Sequence, residues 1–273
     1  MRLPQLWLTS RGATLIRYSI IAIIATSFAS KYLYEALWGR PMTLAEVADL
    51  GGVRLMVVTE GGTATEFLST VHAEAPPEAD WHAYLPLLKA ELGLYTPRML
   101  GEAGLRSVVL CGGLTDCEQS AAGLAGWRER TIYLLVPGHR GSKDFARRTI
   151  HHELFHLIDL RHNAEYSPDP GWAGLNQGSF RYGEGGRHER APGATRPDES
   201  VPGFLNRYSR SGPEEDKAEI YAHLMAGRDL IEGRADRDEV LSSKCVEMKN
   251  RMSRYFPEVG PTFWEKGHES GHD

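Results

Sequence analysis

Apolar residues recur along this chain in two rhythms, and the change of rhythm divides it. Three short apolar runs come first: VRLMVVT (residues 53–59), LRSVVLC (105–111) and TIYLLV (131–136). They are rich in β-branched side chains and too short for helices, and Pro137 and Gly138 stop the last, so they predict strands. Residues 42–50 read as a short helix ahead of the first run, and WHAYLPLLKAELGLY (81–95) reads as a helix strained by Pro86. From residue 142 the helical period takes over. Ser142 is placed to cap a helix whose first turn holds Asp144 and which runs through about Leu160. Two further helices are expected at 214–226 and 238–255; on the second, Leu241, Cys245, Met248, Met252 and Tyr255 share one face. Early strands and late helices predict an α+β fold, in which a small mixed sheet packs on the 142–160 helix and a mainly helical C-terminal part follows.

Two regions break the pattern. Residues 165–203 contain eight Gly and five Pro, too many for regular structure, and a loop of that length inside a domain is expected to form a functional rim. At the N-terminus, Arg2, Arg11 and Arg17 precede the uncharged stretch Tyr18–Ser30. Its 13 residues suit the core of a signal peptide, with Ser27 and Ala29 as small residues for cleavage. Alternatively Arg17 and Lys31 snorkel and residues 13–38 anchor the chain in a membrane. Either way residues 1–39 are set apart as signal or anchor, the protein is expected outside the cytoplasm, 40–265 form the folded domain, and 266–273, with His268 and His272, form a disordered tail.

Composition adds limits. Of 273 residues 41% are hydrophobic and 25% charged, enough to build a core, and a net charge of -5 gives no reason to expect a nucleic-acid partner. Cys111 and Cys117 could close a small disulfide loop, while Cys245 is expected as a small buried hydrophobe.

Chemistry concentrates in TIHHELFHLI (149–158). His152 and His156 are four apart, so on a helix they aim two imidazoles at one point, and Glu153, rotated about 100°, stands beside it. Ile150, Leu154, Phe155, Leu157 and Ile158 bury the rest of the helix, and two uncoordinated imidazoles there would need other partners. The pair therefore points to zinc with a built-in base. Two candidates compete for the third ligand. His162 has the spacing H-E-x-x-H-x-x-x-x-x-H, but that geometry needs the helix to break at Asp159, where a glycine would be at ease and an aspartate is not. Glu215 and Glu219, four apart on the 214–226 helix, offer one carboxylate for the metal and one to hold a ligating histidine by its second nitrogen.

With Tyr208 seven residues before Glu215, the set His152, Glu153, His156, Tyr208, Glu215 and Glu219 resembles the gluzincin metallopeptidases, in particular the anthrax lethal factor protease domain and the Pro-Pro endopeptidases. Blocks such as CGGLTDCEQSAAGLAGW and PGFLNRYSRSGPEEDKAEIYA are similar to those of uncharacterised bacterial zinc-binding metallopeptidases. The resemblance implies a zincin-like fold, one Zn2+ held by His152, His156 and Glu215, and hydrolysis of peptide bonds in a peptide or protein substrate. Glu153 would act as general base and Tyr208 would donate a hydrogen bond to the oxyanion. Asp159 either orients a ligand or pairs with Arg161 or Arg148. TIYLLV is expected at the sheet edge, where substrate adds as a strand, with Phe180 and Tyr182 of the long loop as pocket walls and Trp172 either beside them or packed under the loop. His151 adds a third imidazole beside the motif. The competing readings are a peptide-binding module that keeps the zinc but does not cut, and a zinc hydrolase acting on another bond.

Overall fold

The computed structural model describes residues 39–66, 69–138, 141–163, 168–189 and 191–269. The chain divides into two compact units, Met1–Pro41 and Met42–Asp273, and the second holds every described strand and helix. The signal or anchor segment read at the N-terminus lies outside the described residues. Among the described residues no helix is long and apolar enough to cross a membrane.

The architecture is α+β. A five-stranded mixed sheet has the order β1-β2-β5-β9-β8, from strands β1 (Thr43–Leu50), β2 (Val53–Glu60), β5 (Ser107–Cys111), β9 (Thr131–Leu135) and β8 (Gly123–Gly126). The pairs β2/β5 and β5/β9 are parallel, and the outer strands β1 and β8 are antiparallel to their neighbours. A second, antiparallel sheet has the order β3-β4-β6-β7, from Gly62–Glu66, Ser69–Glu74, Gly113–Asp116 and Gln119–Ser120. Strand β5 is buried on both faces: Val108 and Leu110 enter the main core under the helices, whereas Val109 and Cys111 join Val58, Val71, Ala73, Leu114 and Tyr133 in a smaller core.

Two expectations about strands are corrected. Residues 43–50 are a strand, not a helix. Leu44, Val47 and Ala48 have helical spacing, but Gly51 and Gly52 both take positive φ (62° and 96°) and close a two-residue hairpin that pairs Leu50 with Val53. Register shifts at Thr43/Leu44 and Glu46/Ala48 blur the strand alternation that would have identified it. Nor is TIYLLV an edge strand. It is enclosed between β5 and β8, and the edge belongs to β8, whose sequence GLAG carries almost no apolar signal.

The helices follow their capping chemistry. Helix α1 (Glu78–Leu92) tolerates Pro86, and α2 (Pro97–Ala103) is capped by Thr96. Helix α3 (Lys143–His162) starts where the Ser142 side chain accepts the Phe145 N–H at 3.2 Å, and spans the whole histidine motif. After a single turn, α4 (Pro170–Ala173), come α5 (Pro213–Ala226), α6 (Arg228–Ala235), α7 (Glu239–Tyr255, capped by Asp238) and α8 (Pro261–Glu269). Helix α8 passes the boundary expected at 265, and the Gly267 carbonyl accepts from Arg147; residues 270–273 lie outside the described residues. Cys111 and Cys117 are free cysteines rather than a disulfide, with Cys117 exposed in the β6–β7 turn at φ 48°; Cys245 is buried on α7 as expected.

Helices α3 and α5 are clamped together by buried charge. The Lys217 ammonium on α5 sits 2.5 Å from Asp159 on α3 and 2.8 Å from Asp169 in the long loop, and Asp169 also accepts from Arg251 on α7 at 2.6 Å. Asp159 thus pairs with Lys217, not with Arg161 or Arg148, and its carboxylate is committed to holding helices in place. Removing a cation from such a cluster leaves carboxylates in the core without a counter-charge. Lys217→Ala is therefore expected to lose about 3–5 kcal/mol of stability, read as a lowered urea midpoint.

Candidate metal centre

The α3–α5 contact brings together side chains 63 residues apart. His152 Nε2 lies 3.1 Å from His156 Nε2 and 3.0 Å from Glu215 Oε2, and His156 Nε2 lies 3.4 Å from the same oxygen. Among the described residues these three form the group of His, Cys, Asp or Glu side chains whose donor atoms converge closely enough to hold a metal ion. The donor set fits zinc. Ligand bonds of about 2.0–2.1 Å in a tetrahedron put donor atoms about 3.3 Å apart, close to the separations found. The fit also shows in charge: burial would push the His152 imidazole down, but the hydrogen-bonded carboxylates of Glu215 and Glu219 hold it well above its usual range. Likewise burial opposes ionisation of Glu215, yet His156 and His152 keep its carboxyl far below the ordinary carboxylate value. Two carboxylates aimed at two imidazoles make a site that favours a positive charge, the charge a bound metal ion would supply.

Behind the donors stands a second layer. Glu219 Oε1 lies 3.1 Å from His152 Nδ1, so the carboxylate fixes which nitrogen faces Glu215. Its other oxygen accepts from Asn206 Nδ2 at 2.6 Å, and Asn206 Oδ1 in turn accepts from the Ser209 N–H. Tyr208 stands on a 3-10 turn, Tyr208–Arg210, with its ring 6.0 Å from the His152 ring. Glu153 faces the cleft beside them, beneath the edge strand: a β-carbon on Gly123 would lie 2.6 Å from Glu153 Cγ. His162 is elsewhere, stacked on Tyr255 at 4.9 Å, and takes no part. His151 is turned away from the cleft. It bridges Glu91 (2.8 Å) and the Tyr95 hydroxyl (2.7 Å) in the core, where Glu91 also takes Arg147.

The aromatic residues Trp172, Phe180 and Tyr182 of the loop do not line the cleft. Trp172 is fully buried and donates its indole N–H to Asp216, Tyr182 donates to the same carboxylate at 2.6 Å, and Phe180 packs on Phe204. The loop lines the cleft with other residues: the cleft, of about 220 Å3, is bounded by Ser120–Gly123 and by Glu189, Ala191, Gly193, Ala194 and Thr195 of the loop. Gly186 brings the loop against the metal donors, because a β-carbon there would overlap both Glu215 Oε1 and the Tyr208 hydroxyl. Its φ is not positive, so alanine can adopt the backbone. Gly186→Ala is thus expected to leave thermal stability within a few degrees of wild type while displacing the Glu215 carboxylate, weakening zinc binding at least ~10-fold in a competitive chelator titration.

Several cleft residues escape a reading of the sequence alone. His223, whose Nδ1 donates to the Glu219 carbonyl at 2.9 Å, completes a row Glu215, Glu219, His223 at four-residue spacing, and that spacing is the signal that could have found it. Asn206, Gly123 and Gly186 have no local signal.

No family model matches the chain, and no curated protein sequence matches it. Among solved structures, a "putative zinc-binding metallo-peptidase" from Bacteroides caccae superposes with a TM-score of 0.45 at 16% identity, over 71% of this chain and 77% of that one.

Proposed function

We propose that the protein is a zinc-dependent peptidase, an endopeptidase that hydrolyses extended peptides lying along the open edge of β8. With the N-terminal segment read as a signal or anchor, it would act outside the cytoplasm. One observation carries this reading: His152, His156 and Glu215 converge on one point, and His152 lines an open cleft together with Glu153 and Tyr208. A purely structural zinc would close its fourth position and would have no use for that carboxylate.

When bound, the metal supplies Lewis-acid activation of water and of the scissile carbonyl. His152, His156 and Glu215 would hold it, and Glu219, backed by Asn206, keeps His152 in the ligating tautomer. Glu153 accepts the proton of the attacking water and delivers it to the leaving amine. Tyr208 donates a hydrogen bond to the oxyanion, a charge that exists only along the reaction path, so its loss lowers turnover more than binding. Strand β8 offers main-chain N–H and C=O groups to an added strand, and Gly123 lets β8 itself lie close over Glu153. The test is zinc content of the purified protein together with digestion of a mixed peptide library with and without chelator. Cleavage that survives chelation defeats the zinc mechanism, and bound zinc without cleavage favours a non-cutting peptide-binding module.

A further inference from the structure

Arg148 is an arginine without a counter-ion among the described residues, in a cleft whose other charges are engaged. It lies on α3 one turn before His152, on the same face, and lines the cleft with Phe145, Thr149, Glu189 and His223. It is half-buried, and no hydrogen bond or ion pair joins it to any described residue. Its neighbour Arg147, by contrast, is committed to Glu91 and the Gly267 carbonyl. Of the carboxylates that line the cleft with Arg148, Glu189 pairs with Arg207 at 2.7 Å, Glu219 is held by His152 and Asn206, and Glu153 stands beside the metal donors. Ala121 and Ala122 line the same cleft with small side chains.

We infer that Arg148 forms a subsite for a carboxylate on the substrate, one or two residues from the bond that is cut. This deepens the peptidase reading and rests on it. One helical turn places the Arg148 backbone about 5–6 Å along the axis from His152, and an extended peptide advances about 3.3 Å per residue, so the offset corresponds to about two residues. The guanidinium presents paired N–H donors that match a carboxylate in a bidentate arrangement, which ammonium groups do not reproduce. Two sources provide that chemistry, an Asp or Glu side chain within the peptide and the free C-terminus of a short peptide.

The test uses the full chain loaded with zinc and pairs of fluorescent peptides. One pair differs only in Asp against Asn near the cleavage site, the other only in a free against an amidated C-terminus. Wild type is expected to favour the carboxylate member of at least one pair by ~10-fold or more in kcat/KM. Arg148→Gln removes the preference and Arg148→Glu turns it toward a Lys-containing peptide, with zinc content unchanged in both. The pair that responds identifies the source. Binding of the same peptides to the Glu153→Gln protein, followed by anisotropy, reports on the subsite even where nothing is cut. Acid-selective binding that Arg148→Gln abolishes, without cleavage by wild type, upholds the subsite and removes the peptidase reading. Zinc-dependent cleavage and binding that ignore the carboxylate, or a preference that survives Arg148→Gln, overturn the subsite alone.

Discussion

Glu215→Ala is expected to abolish stoichiometric zinc, whereas His162→Ala leaves it essentially intact. The contrast comes from position: Glu215 Oε2 lies 3.0 and 3.4 Å from the two imidazole nitrogens, and His162 lies against Tyr255 and Phe256. Removing Glu215 leaves two neutral donors and takes away the negative charge that holds the cation. Metal analysis after dialysis against a weak chelator reads the difference, and zinc lost from the His162 variant but kept in the Glu215 variant would reverse the assignment. A pH effect should accompany it. The imidazole of His152 is held above its usual range in the metal-free protein, so a proton competes with zinc for it, and apparent zinc affinity falls as pH is lowered from the range where His152 is neutral into the range where it is protonated.

The second large effect is catalytic. Glu153→Gln is expected to retain zinc and to lose nearly all hydrolysis, by a factor of about 10^2–10^4 in kcat, the usual contribution of a positioned general acid–base. Glutamine keeps the shape of the side chain under Gly123 but cannot accept the proton. Peptide binding should survive, because the edge of β8 and the cleft walls are untouched. Turnover equal to wild type in a zinc-replete Glu153→Gln protein would remove Glu153 from the mechanism.

Local information in the sequence is legible, and distant information mostly is not. Helix α3 is readable because a serine cap, a long apolar face and the histidine spacing all lie within 20 residues. The same holds for α5 and α7, which begin at Pro213 and after Asp238. Strands of small residues, GTATE, GLTD and GLAG, leave no periodic signature, and so the second sheet and the true edge strand are invisible in the sequence. The partner of Asp159 is hidden for a related reason: the nearby arginines are obvious in sequence, whereas Lys217 comes close only because α5 packs on α3. The convergence of Glu215 on the two histidines, by contrast, is readable, because each helix separately displays its donors at four-residue intervals. Trp172 packs under the loop, one of the two places expected for it, whereas Phe180 and Tyr182 mislead because Phe204 and Asp216, which claim them, lie far along the chain.

The clamp of Lys217, Asp159, Asp169 and Arg251 bears on how the proposed zinc would be taken up. It ties α3, α5, α7 and the long loop together through side chains that are not metal donors, so the helices that carry the three donors have a brace of their own. Folding and metallation are then expected to be separable events. The chain can reach its final shape first and take up zinc last, as a lock receives a key already cut, and a chelator should empty it without unfolding it. Occupancy in the living cell would accordingly follow the zinc supply of the compartment where the folded protein resides, rather than the conditions under which the chain was made.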